Sequence, residues 1–256
     1  MLLRELYDTR ELCFTLARKD FFVRYRRAAF GALWAVVMPA LQAIVLSIVL
    51  KRVTTIKIEH YVIFIFSGIV TWTYFSGAVS AGSTAIVDSS GMSSRIYFPR
   101  AVNVLSVGIS NLYTLFISTA VLLIAMIVTG AEPGWHSFYL LAGEAMTIAV
   151  AVSLSLVLAA THVYFRDTRY AVQAALYVWF YVTPVFYPSS VLKGTVHHIV
   201  QINPMTGPTQ LMHAGAIGGI VQDPTSLAVS GGWIVVLGAL AIVLHSRFDR
   251  VFADLL

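Results

Sequence analysis

Charge is scarce in this chain: Asp, Glu, Lys and Arg make up 11% of its 256 residues, against roughly 25% in an ordinary soluble domain. So little charge excludes a water-soluble globular surface. With 58% hydrophobic residues and a mean hydropathy of +0.80, the chain reads as an integral membrane protein. Cysteine is nearly missing too, since Cys13 stands alone and no intrachain disulfide can form. No G-x-x-x-x-G-K-S/T loop occurs, and no glycine-rich turn follows a strand pattern, which excludes nucleotide binding by those routes. Metal-ligand spacing is absent: His197 and His198 are adjacent, while His60, His136, His162, His213 and His245 are scattered. A membrane enzyme needs converging acids and bases, yet the apolar runs hold one clear carboxylate, Glu144. Glu144 is either a functional intramembrane acid or a hydrogen-bonded structural one near its helix end. The net charge of +5 is spread around apolar runs rather than gathered in a basic domain, which argues against nucleic acid.

What is present is a series of apolar windows of about 20 residues, each long enough to cross a ~30 Å hydrocarbon core as a helix. Alternating barrel strands are absent, so the expected fold is an all-α membrane protein in one domain over 1–256. Residues 1–27 place Leu3, Leu6, Tyr7, Phe14, Ala17 and Phe21 on one helical stripe, with Arg4, Asp8, Glu11, Arg18, Lys19 and Arg26 opposite. That pattern fits an amphipathic helix lying in the membrane interface, or one packed on a partner. Six spans follow in 28–246, at about 28–50 with Pro39 as a kink point, 61–86, 102–129, 137–161, 171–187 and 225–245. Residues 247–256 form a tail. Lys51, Arg52 and Lys57 fall in the first loop, and Pro133 and Gly134 mark a tight turn before the fourth span. In the second span Ser76, Gly77, Ser80, Gly82, Ser83 and Thr84 imply close helix packing or a watery face.

Residues 188–224 hold Pro188, Pro204, Pro208 and Pro224 around two apolar patches too short to cross. Short re-entrant helices around a pathway fit this composition, and so does an extramembrane loop with two surface helices. Aromatics gather in two places: Trp72, Tyr74 and Phe75 in the second span, and Tyr177, Trp179, Phe180, Tyr181, Phe186 and Tyr187 in the fifth. Such rings anchor helices at the interface, or stack on sugar rings while their polar atoms hydrogen-bond. Two polar breaks interrupt the runs, SSRIYFPR at 93–100 and VYFRDTRY at 163–170. Arginine in such breaks either flanks a helix as a topology signal or grips a soluble partner. With six spans, thirteen of the seventeen lysines and arginines fall on one side, which puts both termini and both breaks in the cytoplasm.

Four stretches together carry a family likeness: RKDFFVRYRRAAFGALWAVVMPAL (18–41), SRIYFPRAVNVLS (94–106), VYFRDTRYAVQ (163–173), and TPVFYPSS with INPMTGPTQLMH (183–190, 202–213). In order and spacing they resemble the permease subunits of ABC-2 type polysaccharide exporters, which move lipid-linked O antigens, capsules and teichoic acids. The resemblance implies a homodimer in the bacterial inner membrane, paired with two copies of an ATPase subunit that holds ATP and Mg. This chain would bind no cofactor itself and catalyse nothing. It also implies roles by position. Arg95, Tyr97, Phe98, Pro99 and Arg100, with Tyr164, Phe165, Arg166 and Asp167, match segments that couple to the ATPase. Pro188, Pro204, Pro208 and His213 fall in the short helices that close the outer end. Trp72, Tyr74, Phe75, Tyr177, Trp179, Phe180 and Tyr181 become candidates for the channel wall. Arg24, Arg26 and Arg27 lie where a lipid-linked glycan would enter from the inner leaflet, among membrane lipids. A drug or lipid exporter of the same superfamily, or a membrane enzyme or scaffold acting on lipid-linked sugars, are the alternatives.

Overall fold

The computed structural model describes residues 2–26, 33–53, 58–89, 98–131, 133–219, 221 and 223–255, and among them no strand occurs. The chain runs α1 (Leu2–Asp8), α2 (Arg10–Tyr25), α3 (Trp34–Val53), α4 (Tyr61–Asp88), α5 (Ala101–Thr129), α6 (Phe138–Tyr164), α7 (Thr168–Val182), α8 (Gly194–Ile202), α9 (Thr206–Ile217) and α10 (Pro224–Leu255). Five of these are long and apolar enough to cross a membrane: α3, α4, α5, α6 with the turn before it, and Pro224–Arg247 of α10. The chain is therefore multi-pass, and α4 is its axis. Tyr61, Ile65, Ile69, Phe75 and Ile86 are sealed along its length, and α3, α5, α6, α7 and α9 all pack on it.

Local chemistry sets the boundaries. Gly130 closes α5 with φ +76°, the left-handed turn that a glycine takes without strain. Pro224 opens α10, where its missing N–H would be unsatisfied anyway. Asp223 caps that helix, accepting Thr225 N at 3.0 Å and Thr225 Oγ1 at 2.7 Å. Lys51 and Arg52 sit in the last turn of α3 rather than in a loop, where positive charge meets the negative end of the helix dipole.

Two expectations change. The predicted fifth span, 171–187, is helical only to Val182, so α7 is about 22 Å long and short of a crossing by itself. Pro184 disfavours α geometry at the residue before it, and Thr183 turns extended at ψ 136°. The predicted N-terminal helix is two helices broken at Thr9, and its buried face is rotated. Cys13 and Ala17 face inward with Asp20 and Arg24, whereas Tyr7 and Phe14 are exposed. Successive contacts Cys13–Val102, Asp20–Ser110 and Phe21–Tyr113 make α2 run beside the first half of α5 in the same direction. The expectation of an interfacial helix lying flat omitted this partner. Of the predicted first span, 28–32 lie outside the described residues, as does Lys57.

Candidate functional site

Small residues on α4 divide its lower half into two jobs. A Cβ on Gly82 would meet Ser155 Cβ at 2.8 Å, so that side packs directly on α6. Ser155 also donates to the Ala78 carbonyl at 3.2 Å. The other side, at Gly77, Ser80, Ala81, Thr84 and Asp88, recurs every three to four residues and lines open space.

That space is a cavity of about 710 Å³ between α2, α4, α5 and α7, walled by Lys19, Asp20, Arg24, Asp88, Asn103, Arg169 and Gln173 among others. A second cavity of about 740 Å³ shares Arg24 and Gly77 with it and is apolar, bounded by Trp34, Met38, Leu41 and Val45 of α3 and by Tyr74. A third, about 450 Å³, shares Ser80 and Gln173 with the first and Gln42 and Thr73 with the second, and its wall is Trp72, Ser76, Tyr177, Phe180 and Tyr181. The three adjoin through shared side chains. A void of about 40 Å³ beside α9, lined by Pro184, Pro188, Gln210 and His213 among others, shares no side chain with these three and has room for about one water.

Four of the seven predicted channel aromatics, Trp72, Tyr177, Phe180 and Tyr181, thus meet in one cavity, and Tyr74 lines its neighbour. Trp72 and Phe180 pack edge to face at 5.7 Å, and Tyr177 and Tyr181 do the same at 5.9 Å. Phe75 and Trp179 pack behind the wall. Phe75 is sealed, and Trp179 donates its indole N–H to Asn203 Oδ1 at 2.9 Å. Tyr177 is 71% exposed and Tyr181 54%, so this wall is open on the side away from α4.

The predicted gate residues converge on α9. Pro188, Pro204 and Pro208 are buried, as is every residue of α9 from Thr206 to Ala216, held among α4, α6 and α10. The His213 ring stacks on Phe64 at 3.7 Å, and its Nε2 lies 3.3 Å from the Val185 carbonyl oxygen. Gln210, which sequence reasoning passed over, donates to Ser189 Oγ at 3.0 Å and accepts Asp223 N–H at 3.1 Å. α9 is therefore an interior helix rather than a surface one, whereas α8 is mostly exposed.

Of the predicted coupling residues, Arg95 and Tyr97 lie outside the described residues, as does Arg27 of the predicted entrance. Phe98, Pro99 and Arg100 are buried. Phe98 packs with Cys13 and Val102, which fastens the start of α5 to α2. Burial pushes the Cys13 thiol up to about 11. Tyr164, Phe165, Arg166 and Asp167 instead form an exposed turn between α6 and α7, with Phe165 68% accessible. Arg26 is exposed, whereas Arg24 reaches inward: its guanidinium donates to Asn111 Oδ1 at 3.1 Å and to Asp20 Oδ2 at 3.0 Å. Asp20 also accepts the Ser110 hydroxyl at 2.7 Å. Asp20, Ser110, Asn111, Gln42 and Gln173 went unpredicted, because each is an isolated polar residue in the sequence: Asp20 and Ser110, and Asn111 and Arg24, meet only across the α2–α5 contact, and Gln42 and Gln173 meet only as lining of one cavity. Glu144 is buried and accepts a hydrogen bond from the Thr119 hydroxyl across the α5–α6 contact. No group of three potential metal ligands occurs among the described residues.

Comparison with known proteins places this architecture. The chain matches the family described as "ABC-2 type transporter" over residues 11–217. It is similar to an "O-antigen export system permease protein RfbA" of Myxococcus xanthus, 29% identical over 256 residues, covering 99% of this chain and 98% of that one. A Klebsiella pneumoniae protein of the same name is 24% identical over 255 residues, covering 96% and 95% of the two chains. A second from Klebsiella pneumoniae is 25% identical over 203 residues, covering 76% of each. A bundle of apolar helices around adjoining cavities, matched over most of its length to one transporter family, is a transport component, and the chain belongs to the ABC-2 type transporter family.

Proposed function

We propose that this chain is the membrane-spanning subunit of an ATP-driven exporter of a lipid-linked polysaccharide such as an O antigen or a teichoic acid. The observation that carries it is the 450 Å³ cavity, where Trp72, Tyr177, Phe180 and Tyr181 face the amides of Gln42 and Gln173. Aromatic faces take the apolar faces of sugar rings, and amides and hydroxyls take their hydroxyl groups. A drug or lipid pathway would favour aliphatic walls there. The relatives' names point the same way.

The chain acts as a homodimer in a bacterial inner membrane with both termini cytoplasmic. α7 and the turns after it together complete a sixth crossing, and α9 with its neighbours is a re-entrant plug at the outer end. The accessible faces of Tyr177 and Tyr181 are where a second copy would complete the channel wall. ATP and Mg belong to a separate ATPase subunit, present in two copies. The exposed turn Tyr164–Phe165–Arg166–Asp167 offers it a contact. Phe98 adds a lever: it is packed against Cys13 and Val102, so force applied there moves α2 and α5 together.

The test is export in cells that rely on this chain for their surface glycan. Tyr177→Ala combined with Tyr181→Ala should lower surface glycan about ten-fold or more and build up lipid-linked glycan inside, since each base or ring stacked on an aromatic contributes ~1 kcal/mol or more. Normal surface glycan in cells lacking the chain, with a lipid or drug retained instead, would refute the assignment.

A further inference from the structure

We propose that Arg169 makes this chain selective for acidic glycans, by reading a carboxylate or phosphodiester on the sugar chain next to the aromatic wall. The inference rests on the export reading and deepens it by naming the substrate class. The side of α7 that faces the cavities is one line: Arg169, Gln173, Tyr177 and Tyr181 follow each other every four residues, about 6 Å apart along the helix. All four are exposed, whereas Val172 and Leu176 between them are buried. Arg169 lines the polar chamber, Tyr177 and Tyr181 line the aromatic cavity, and Gln173 lines both. Along about 18 Å of one helix a cation therefore gives way to an amide and then to two phenols. A cation that serves only as a topology signal can stand anywhere around its helix. This one stands on the line that leads to the rings, while the neighbouring line at Tyr170, Ala174 and Val178 holds no charge.

The charges of the polar chamber divide into a matched pair and an unmatched set. Arg24 and Asp20 bond to each other at 3.0 Å, which leaves Lys19 and Arg169 against Asp88. Among the described residues none of these three has a salt-bridge partner, so two cations stand against one carboxylate and the chamber favours an anion. Ser80, Thr84, Ser89, Asn103 and Ser106 supply the rest of its polar wall. Hydroxyls and amides hold the hydroxyl groups of any glycan and do not tell a neutral one from an acidic one. A guanidinium does: its planar fork takes two oxygens of a carboxylate or phosphodiester at once. Asp88 works the other way, since a carboxylate in the same chamber repels the acid that Arg169 attracts.

The test uses the full-length chain in nanodiscs of phosphatidylcholine, which has no net charge, and measures binding of fluorescently labelled tetragalacturonate and of its fully methyl-esterified form by anisotropy. The two probes share sugars, linkage and length and differ in charge. At low ionic strength wild type should bind the acid about five-fold more tightly than the ester, the scale of one exposed charge pair. That preference should shrink as salt is added. Arg169→Gln should cut it to below about two-fold, Arg169→Lys should keep an intermediate value because the charge stays without the planar fork, and Asp88→Asn should raise it by up to about five-fold. Arg18→Gln removes the same charge from an exposed position of α2 outside the chamber and should leave the preference in place. Equal binding of acid and ester by wild type, or equal losses of preference in Arg169→Gln and Arg18→Gln, would overturn the proposal. So would full displacement of tetragalacturonate by acetate at the same carboxylate concentration, which would make this a site for a small free anion. The export reading fails separately: Tyr177→Ala with Tyr181→Ala should weaken binding of the ester, and an unaltered ester affinity would count against the aromatic wall while the charge preference stood.

Discussion

Gly68→Ala is the substitution that most directly tests how α9 is held. The Cβ of an alanine at 68 would stand 2.3 Å from the Val185 carbonyl oxygen and 2.8 Å from His213 Nε2. The nearer obstacle is backbone, tied into a turn by the Val185 N–H to Thr183 O bond at 2.7 Å, so no rotamer change relieves it. Inserting one methyl into a packed interior costs about 1–3 kcal/mol, and an immovable neighbour puts this case near 3. For a chain of this size that lowers the melting temperature by roughly 6–12 °C. The assay is the temperature at which the detergent-solubilised chain leaves its monodisperse size-exclusion peak. Gly231→Ala on α10, where a Cβ meets nothing within 4 Å, is the reference and should melt at or slightly above wild type. The backbone origin has its own check: in a His213→Ala background the Gly68→Ala penalty should persist at more than half its size. A Gly68→Ala protein melting within about 2 °C of wild type, or one fully rescued by His213→Ala, would refute the reasoning.

Asn203→Leu removes three bonds at once, from Trp179 Nε1, to Thr183 Oγ1 and from Met205 N–H, each at 2.9 Å in a buried site. It should destabilise by about 2–4 kcal/mol in the same assay, and a loss under ~0.5 kcal/mol would count against the network. Asp223 gives a pH dependence. Burial raises its pKa, but hydrogen bonds from Thr225, Ser226 and Gln201 outweigh that and hold it below the ordinary carboxylate value. A folded-state pKa below the unfolded one stabilises above the ordinary value of about 4, and this stability is lost as pH falls through the depressed value. Asp223→Asn should therefore melt below wild type at neutral pH, with the gap closing on acidification; a gap constant from neutral to strongly acidic pH would contradict the assignment.

The long spans were legible because runs of about 20 apolar residues leave one physical outcome in a bilayer, and α4, α5, α6 and α10 begin within a residue or so of where composition places them. The elements at the two ends of the pathway were not. α7 failed as a crossing by composition alone, since counting apolar residues to Tyr187 ignores what Pro184 does to Thr183. The inner face of α2 was only partly assigned: Ala17 and Phe21 of the expected stripe do pack inward while Tyr7 and Phe14 do not, and Asp20 and Arg24 were missed because their partners, Ser110 and Asn111, lie some ninety positions away. For α9 composition left two readings open, a re-entrant helix and a surface one, because its apolar run is short and mixed with buried Thr, Gly, Gln and His. It is interior because Gly68, Gly143, Gly207 and Gly215 let backbones approach where any Cβ would stand under 3.0 Å from a neighbour.

These misses have one physical origin. Most hydroxyls in the spans donate three or four residues back along their own helix, as Ser67, Thr71, Ser106, Thr147 and Ser230 do. Bonds of that kind satisfy a polar group anywhere on a helix, so they carry no tertiary information. Asp20, Arg24, Asn203 and Gln210 are each also matched by a donor or acceptor on another element, and bonds of that kind do carry tertiary information. Among the described residues, long-range polar pairs join α5 to α6 through Thr119 and Glu144, and they also occur where α2 locks to α5 and where α9 locks to its surroundings. The last two sets lie at the entrance and the plug of the proposed pathway, the two places where transport requires contacts that can be exchanged.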